Sequence, residues 1–165
     1  MTRRLALALG LLSLTGCGLR PLYAGGASGA VATTLHSVSV GPIEGRAGWL
    51  VRGKLVDRLG TAGAGSAYRL EVKLDDNITA LGIRSDRAAT YERRTLRARY
   101  QLVDSASGAV VLDATAGSDV GIDIVSSEYA TVAAEQTALE QLADTIADQI
   151  VTRLALFAAR SAPAK

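Results

Sequence analysis

Two runs of strict alternation constrain this chain more than any other feature of it. Tyr68, Leu70, Val72 and Leu74 alternate with Arg69, Glu71, Lys73 and Asp75, and Leu96, Ala98, Tyr100 and Leu102 alternate with Thr95, Arg97, Arg99 and Gln101. Successive side chains of a strand point to opposite faces, so each run reads as a strand with one apolar and one polar side. Asp76 to Ala89 links the two and is free to prolong either. Asp104-Ser-Ala-Ser-Gly108 has the makeup of a hairpin turn, and a fourth strand follows from Ala109 to about Asp119.

Ahead of these runs, Leu35 to Val40 reads as a first strand, with His36, Val38 and Val40 on one face and Gly41-Pro42 stopping it. A helix is expected over about Arg46 to Leu59, because Ala47, Val51, Leu55 and Leu59 recur every four residues and Gly60 follows. Gly48 and Gly53 weaken it. The last element is a long helix from about Ser127 to Ala158. Its apolar stripe combines Val132, Leu139 and Ile146 with Ala143, Ile150 and Phe157, widened by Leu142 and Leu154, the width of a helix laid on a sheet. The order β-α-β-β-β-α predicts a two-layer α/β sandwich: a four-stranded mixed sheet with two helices on one face and the other face open.

The amino terminus carries a different kind of signal. Met1-Thr-Arg-Arg4 precedes the apolar run Leu5 to Leu14, and Leu14-Thr-Gly-Cys17 ends it in small residues before the sole cysteine. This is a lipobox, so residues 1–16 are expected to be removed and Cys17 to carry acyl chains such as palmitate. A run of ten apolar residues rises only about 15 Å as a helix, about half of a bilayer's hydrocarbon core, which disfavours a membrane span. Each buried methylene contributes about 0.8 kcal/mol and two chains hold firmly, so an acylated Cys17 would stay on a membrane. Residues 17–33, rich in Gly, Ala and Ser between Ala24 and Ala32, read as a flexible tether, and 34–160 as a single domain.

Loss of Arg3 and Arg4 with the signal leaves sixteen basic residues against sixteen acidic ones, which removes any bulk attraction to nucleic acid. With Cys17 acylated, no disulfide is expected. Parts for catalysis are missing too. His36 is the only histidine, so neither a usual zinc site nor a free Ser-His-Asp arrangement can be assembled around it. Gly48-Trp-Leu-Val-Arg-Gly-Lys54 matches a phosphate loop until its last position, where Leu55 stands in place of Ser or Thr. No enzyme activity, metal or cofactor is expected.

What remains is a basic cluster: Arg84, Arg87, Arg93, Arg94, Arg97 and Arg99. Arg93, Arg97 and Arg99 share the outward face of their strand with Thr95, and Lys73 and Arg69 project from the neighbouring strand on the same side. The plain interpretation is that they pair with Glu71, Asp75 and Asp113 and keep an open face soluble. The functional one is an anion site at Arg93, Arg97, Arg99 and Lys73, since guanidinium forks suit phosphate.

The chain resembles the LptE family of lipopolysaccharide-assembly lipoproteins in its alphaproteobacterial form. Cys17-Gly-Leu-Arg-Pro-Leu-Tyr23 is similar to the family's opening Cys-Gly-Phe-Arg-Pro-Leu-Tyr, with Leu19 in place of Phe. Arg46-Ala-Gly-Trp-Leu-Val-Arg52 looks like the family's first long helix, Tyr68-Arg-Leu-Glu-Val72 and Arg97-Ala-Arg-Tyr-Gln-Leu-Val-Asp104 like two of its strands. Ser127-Glu-Tyr-Ala-Thr131 and Leu142-Ala-Asp-Thr-Ile-Ala-Asp-Gln-Ile150 look like its terminal helix. The resemblance implies the same sandwich, a lipid-anchored place on the periplasmic face of the outer membrane, and a role as plug and assembly partner of the β-barrel LptD in lipopolysaccharide delivery. Gly18 after the cysteine is compatible with outer-membrane sorting. The rival reading is an auxiliary periplasmic lipid-binding lipoprotein of an ABC-type lipid transporter.

Overall fold

The computed structural model describes residues 29–61, 65–83, 89–125 and 127–161, which places the lipobox, Cys17, Arg84 and Arg87 outside the described residues. In chain order the elements are α1 (Ala30–His36), β1 (Val38–Val40), α2 (Gly45–Leu59), β2 (Tyr68–Ile83), β3 (Ala89–Asp104), β4 (Val110–Asp123) and α3 (Glu128–Ser161). The sheet runs β1-β2-β3-β4, with β1 parallel to β2 and the other pairs antiparallel. The expected mixed four-stranded sandwich is present. It carries one helix more than expected.

That helix corrects the expected first strand. Leu35 and His36 belong to α1, and only Val38–Val40 pair with β2. A strand through Leu35 would put its side chain on the same face as Ser37 and Ser39. A helix instead sets Val31 and Leu35 one turn apart against the core, where Leu35 is buried. The Thr34 hydroxyl donates back to Ala30 O (2.9 Å) and Ser37 Oγ to Thr34 O (2.7 Å), which ends the turn locally. α1 takes in Ala30 to Thr33, residues whose composition grouped them with the tether.

His36 therefore leaves the apolar face assigned to it. It sits at the end of α1 with its Nδ1 2.9 Å from Leu59 O, where the ring N–H donates to the last carbonyl of α2. Gly60, at φ 83°, turns the chain away beneath that ring.

Of the linking stretch Asp76 to Ala89, residues 76–83 prolong β2 and Ala89 opens β3. β2 and β3 are each sixteen residues long and stay in register from Tyr68↔Asp104 to Ile83↔Ala89. The hairpin to β4 is built as its composition implies: Asp104 Oδ1 accepts from the Ser107 N–H (2.8 Å), the Ser107 hydroxyl (2.8 Å) and the Ala106 N–H (3.1 Å). Those bonds hold the Asp104 carboxyl below its ordinary pKa, the Ser107 backbone donor contributing most.

The core lies between the sheet and the helices. Leu70 and Val72 from β2, with Leu96, Ala98, Tyr100 and Leu102 from β3, meet Val51, Leu55 and Leu59 of α2 and Leu139, Leu142, Ile146, Ile150 and Leu154 of α3. Ala143 and Ala147 are fully buried on α3, and their small side chains bring the helix close to its neighbours. Tyr68 and Phe157 close one end edge to face, with ring centres 6.1 Å apart. Lys54 and Arg58 join the two long helices across their rim: Arg58 Nε donates to Asp148 Oδ1 (2.7 Å), Arg58 Nη2 to Asp144 Oδ1 (3.1 Å), and Lys54 Nζ lies 3.2 Å from the same oxygen.

Candidate functional site

The face of the sheet without helices is where alternation sends the odd-numbered side chains of β2, β3 and β4. Cross-strand register sets Lys73 beside Arg99, Asp75 beside Arg97 and Thr79 beside Arg93. From the other side, Arg99 faces Thr115, Arg97 faces Gly117 and Arg93 faces Gly121. Lys73, Arg97 and Arg99 thus meet at the middle of the face, and Arg93 lies further along β3 toward the hairpin tip. The four predicted residues share one surface. Arg94 faces the other way, toward the helices.

Neutralisation of these cations is uneven. Arg99 is forked onto Asp113, Nη2 3.0 Å from Oδ2 and Nε 3.4 Å from Oδ1, and Gln101 Nε2 donates to the same carboxylate (2.8 Å). Asp113 is held below its ordinary pKa, chiefly by Arg99 and then by Gln101. Arg93 approaches Asp119 loosely at 3.7 Å, and Arg69 turns to Glu71 at 2.8 Å. Of the three carboxylates expected to quench the cluster, Glu71 takes Arg69, Asp113 takes Arg99, and Asp75 takes no partner among the described residues. Lys73 and Arg97 form no hydrogen bond or ion pair among the described residues.

These two cations flank a shallow cleft. It encloses about 480 Å³ between Lys73, Asp75, Arg97, Thr115 and Gly117. Gly117 matters here for its missing side chain: the Arg97 guanidinium lies across it, Nη1 3.4 Å from where a Cβ would stand. A second, larger groove of about 870 Å³ runs along the edge of β2, lined by Pro42, Glu44, Arg69, Lys73 and Gln101. Exposed cations over a surface of this size can hold a phosphate or sulfate group and place its remainder along the sheet. Sequence reasoning missed the pairing of Arg93 with Asp119, because Asp119 stands opposite Thr95 and reaches Arg93 on the diagonal, a relation set by the β3–β4 register.

Among the described residues, no three of His, Cys, Asp and Glu stand together to hold a metal ion. No described helix is long and apolar enough to cross a membrane.

A helix-backed open sheet with this connectivity is the architecture of a set of bacterial envelope lipoproteins. A lipoprotein of Caulobacter crescentus CB15 shares 32% identity over 82% of this chain and 100% of its own, with a TM-score of 0.67. A minor lipoprotein of Acinetobacter baumannii (14% identity, 73% and 90% covered, TM-score 0.61) and the rare lipoprotein B of Shewanella oneidensis (12%, 74% and 96%, TM-score 0.53) share the fold. No curated protein matches the chain by sequence. The model of the lipopolysaccharide-assembly family LptE matches residues 35–154, and the chain belongs to that family.

Proposed function

We propose that this chain is an outer-membrane lipoprotein, anchored by acyl groups on Cys17, that seats in the β-barrel LptD and assists lipopolysaccharide assembly at the cell surface. Membership of the LptE family over residues 35–154 carries this reading. Lipopolysaccharide bears phosphate groups, and Lys73 and Arg97, with Arg99 and Arg93 beside them, supply exposed donors for such groups on the open face. The helices occupy the opposite face, so a ligand on the sheet leaves the core untouched. The chain works without bond-making chemistry: it binds, orients and fits another protein.

Depleting the chain in its native host tests the reading. Lipopolysaccharide at the cell surface is expected to fall while its synthesis continues, and re-expression to restore it. Unchanged surface lipopolysaccharide after full depletion would overturn the proposal.

A further inference from the structure

The open face changes character toward the hairpin that joins β2 and β3. Around Lys73, Arg97 and Arg99 it is polar, but nearer the hairpin Leu81 and Tyr91 stand opposite one another. Tyr91 is the one aromatic side chain on that face among the described residues. Diagonally across from it on β4 is Gly121, and the place a Cβ would take there is filled by the Tyr91 ring, at Cζ and Oη. Glycine inside a strand weakens it and marks a close approach. β4 carries two such glycines four residues apart, Gly117 under the Arg97 guanidinium and Gly121 under the Tyr91 ring. One strand is thus flattened twice, each time where a side chain of β3 lies across it.

Laid across the strand, the ring still offers much of its surface to a ligand. Tyr91 is 37% exposed, and its hydroxyl has no hydrogen-bond partner among the described residues. Polar groups rim it. Asp123 stands directly opposite and makes no bond among the described residues, and Arg93, the next outward residue of β3, is held only loosely by Asp119 at 3.7 Å. An apolar platform edged by a guanidinium and a carboxylate suits a sugar ring. The axial C–H groups of a sugar make an apolar surface that packs on the electron-rich face of an aromatic ring, and the hydroxyls around its edge need donors and acceptors together. A bare phosphate has no use for the ring or for Asp123, and an acyl chain has no use for the charged rim.

We propose that Tyr91, with Gly121 beneath it and Arg93 and Asp123 beside it, is a sugar-stacking subsite of the open face, taking a ring of the same phosphorylated glycan whose phosphate meets Lys73 and Arg97. The inference rests on the reading of this face as a lipopolysaccharide site and adds to it the part of the ligand that carries no charge. At about 3.4 Å per residue, Tyr91 and Arg97 lie about 20 Å apart along β3, so an occupant that reaches both is a chain of linked sugars and not a single one. Cations alone accept any polyanion, and the ring narrows the choice to anions that are also sugars. A ring that merely covered a bare stretch of strand could be replaced by another apolar side chain of similar size, whereas stacking on a sugar needs the aromatic face.

Full-length chain in mild detergent is titrated with two probes, the deacylated phosphorylated oligosaccharide prepared from lipopolysaccharide and inorganic pyrophosphate. Tyr91→Leu, which still covers Gly121, is expected to bind the oligosaccharide about tenfold more weakly and pyrophosphate equally well, while Tyr91→Phe keeps the oligosaccharide affinity. Gly121→Ala, which pushes the ring off the strand, is expected to lose about as much as Tyr91→Leu and to add no further loss when combined with it. Undiminished oligosaccharide binding by Tyr91→Leu would overturn the subsite, and so would an equal loss for both probes, which assigns the ring to ordering the arginines. If thermal melts show that Tyr91→Leu does not fold, magnetisation transfer from the aromatic protons of the unaltered chain to the C–H protons of the bound oligosaccharide decides: its presence supports the subsite and its absence overturns it. These titrations read the site and depletion reads the role in the envelope, so either can fail with the other intact.

Discussion

Arg94 grips Asp76 on the helix side of the sheet, Nη2 2.6 Å from Oδ2 and Nε 2.9 Å from Oδ1, and its Nη1 donates to Glu135 O of α3 at 2.9 Å. One arginine thereby ties β2, β3 and the final helix together. Its side chain is only 13% exposed and that of Asp76 25%, in contrast to Arg99 at 68%. Arg94→Ala is expected to lower unfolding free energy by about 1.5–3 kcal/mol, the range for hydrogen bonds to charged partners. Urea unfolding measures it, and a loss no larger than that of Arg99→Ala would contradict the assignment.

The cations of the open face should behave in the opposite way. Lys73→Ala and Arg97→Ala remove side chains without partners among the described residues, so stability is expected to change by no more than about 0.5 kcal/mol. Each loses a charge-assisted contact to a phosphate, which corresponds to roughly tenfold or more in affinity for lipopolysaccharide. Arg93→Ala and Arg99→Ala should weaken binding less, because carboxylates already share those groups. Titration with lipopolysaccharide beside thermal melts of the same samples separates the two effects.

Alternation gave away the sheet, its two faces and the side on which the basic residues stand, because a period of two leaves no freedom about where a side chain points. Arg94 shows the limit of a simple count: it lies within the basic cluster by position, and parity alone moves it to the other face. The Leu35 region misled for a related reason. Ser37-Val-Ser-Val40 alternates, but the run is too short to say where the strand starts, and the helical pair Val31 and Leu35 claims its beginning. Cross-strand partners such as Arg93 and Asp119 depend on the β3–β4 register and on the bulge at Leu102/Val103, neither of which has a composition signature.

Gly48 and Gly53, both inside α2, are expected to respond with opposite signs. A Cβ at Gly48 would stand 2.6 Å from Ile43 O, a backbone atom that cannot step aside, whereas a Cβ at Gly53 meets nothing within 4 Å. Gly53→Ala should therefore stabilise the chain by about 0.4–1 kcal/mol through helix propensity and a stiffer unfolded chain. Gly48→Ala should destabilise it. Thermal melts of the two variants give the signs.

Acid should weaken the link between α2 and α3. Asp144 is held below its ordinary carboxylate value of 3.8, first by the hydrogen bond from Arg58 and then by that from Lys54. A depressed folded-state pKa means the stabilisation is complete above the unfolded value and is lost as pH falls through the folded one. Stability should therefore be insensitive to this group above about pH 5 and decline below about pH 4. Asp144→Asn is expected to flatten that decline, as measured by urea unfolding at several pH values.

The partnership with a barrel is tested most directly by gentle isolation. Full-length chain, tagged at its carboxyl end and extracted with mild detergent from its native envelope, is expected to bring down LptD in equal amount, identified by mass spectrometry. Recovery of the chain with no β-barrel protein attached, from cells in which LptD is abundant, would contradict the account.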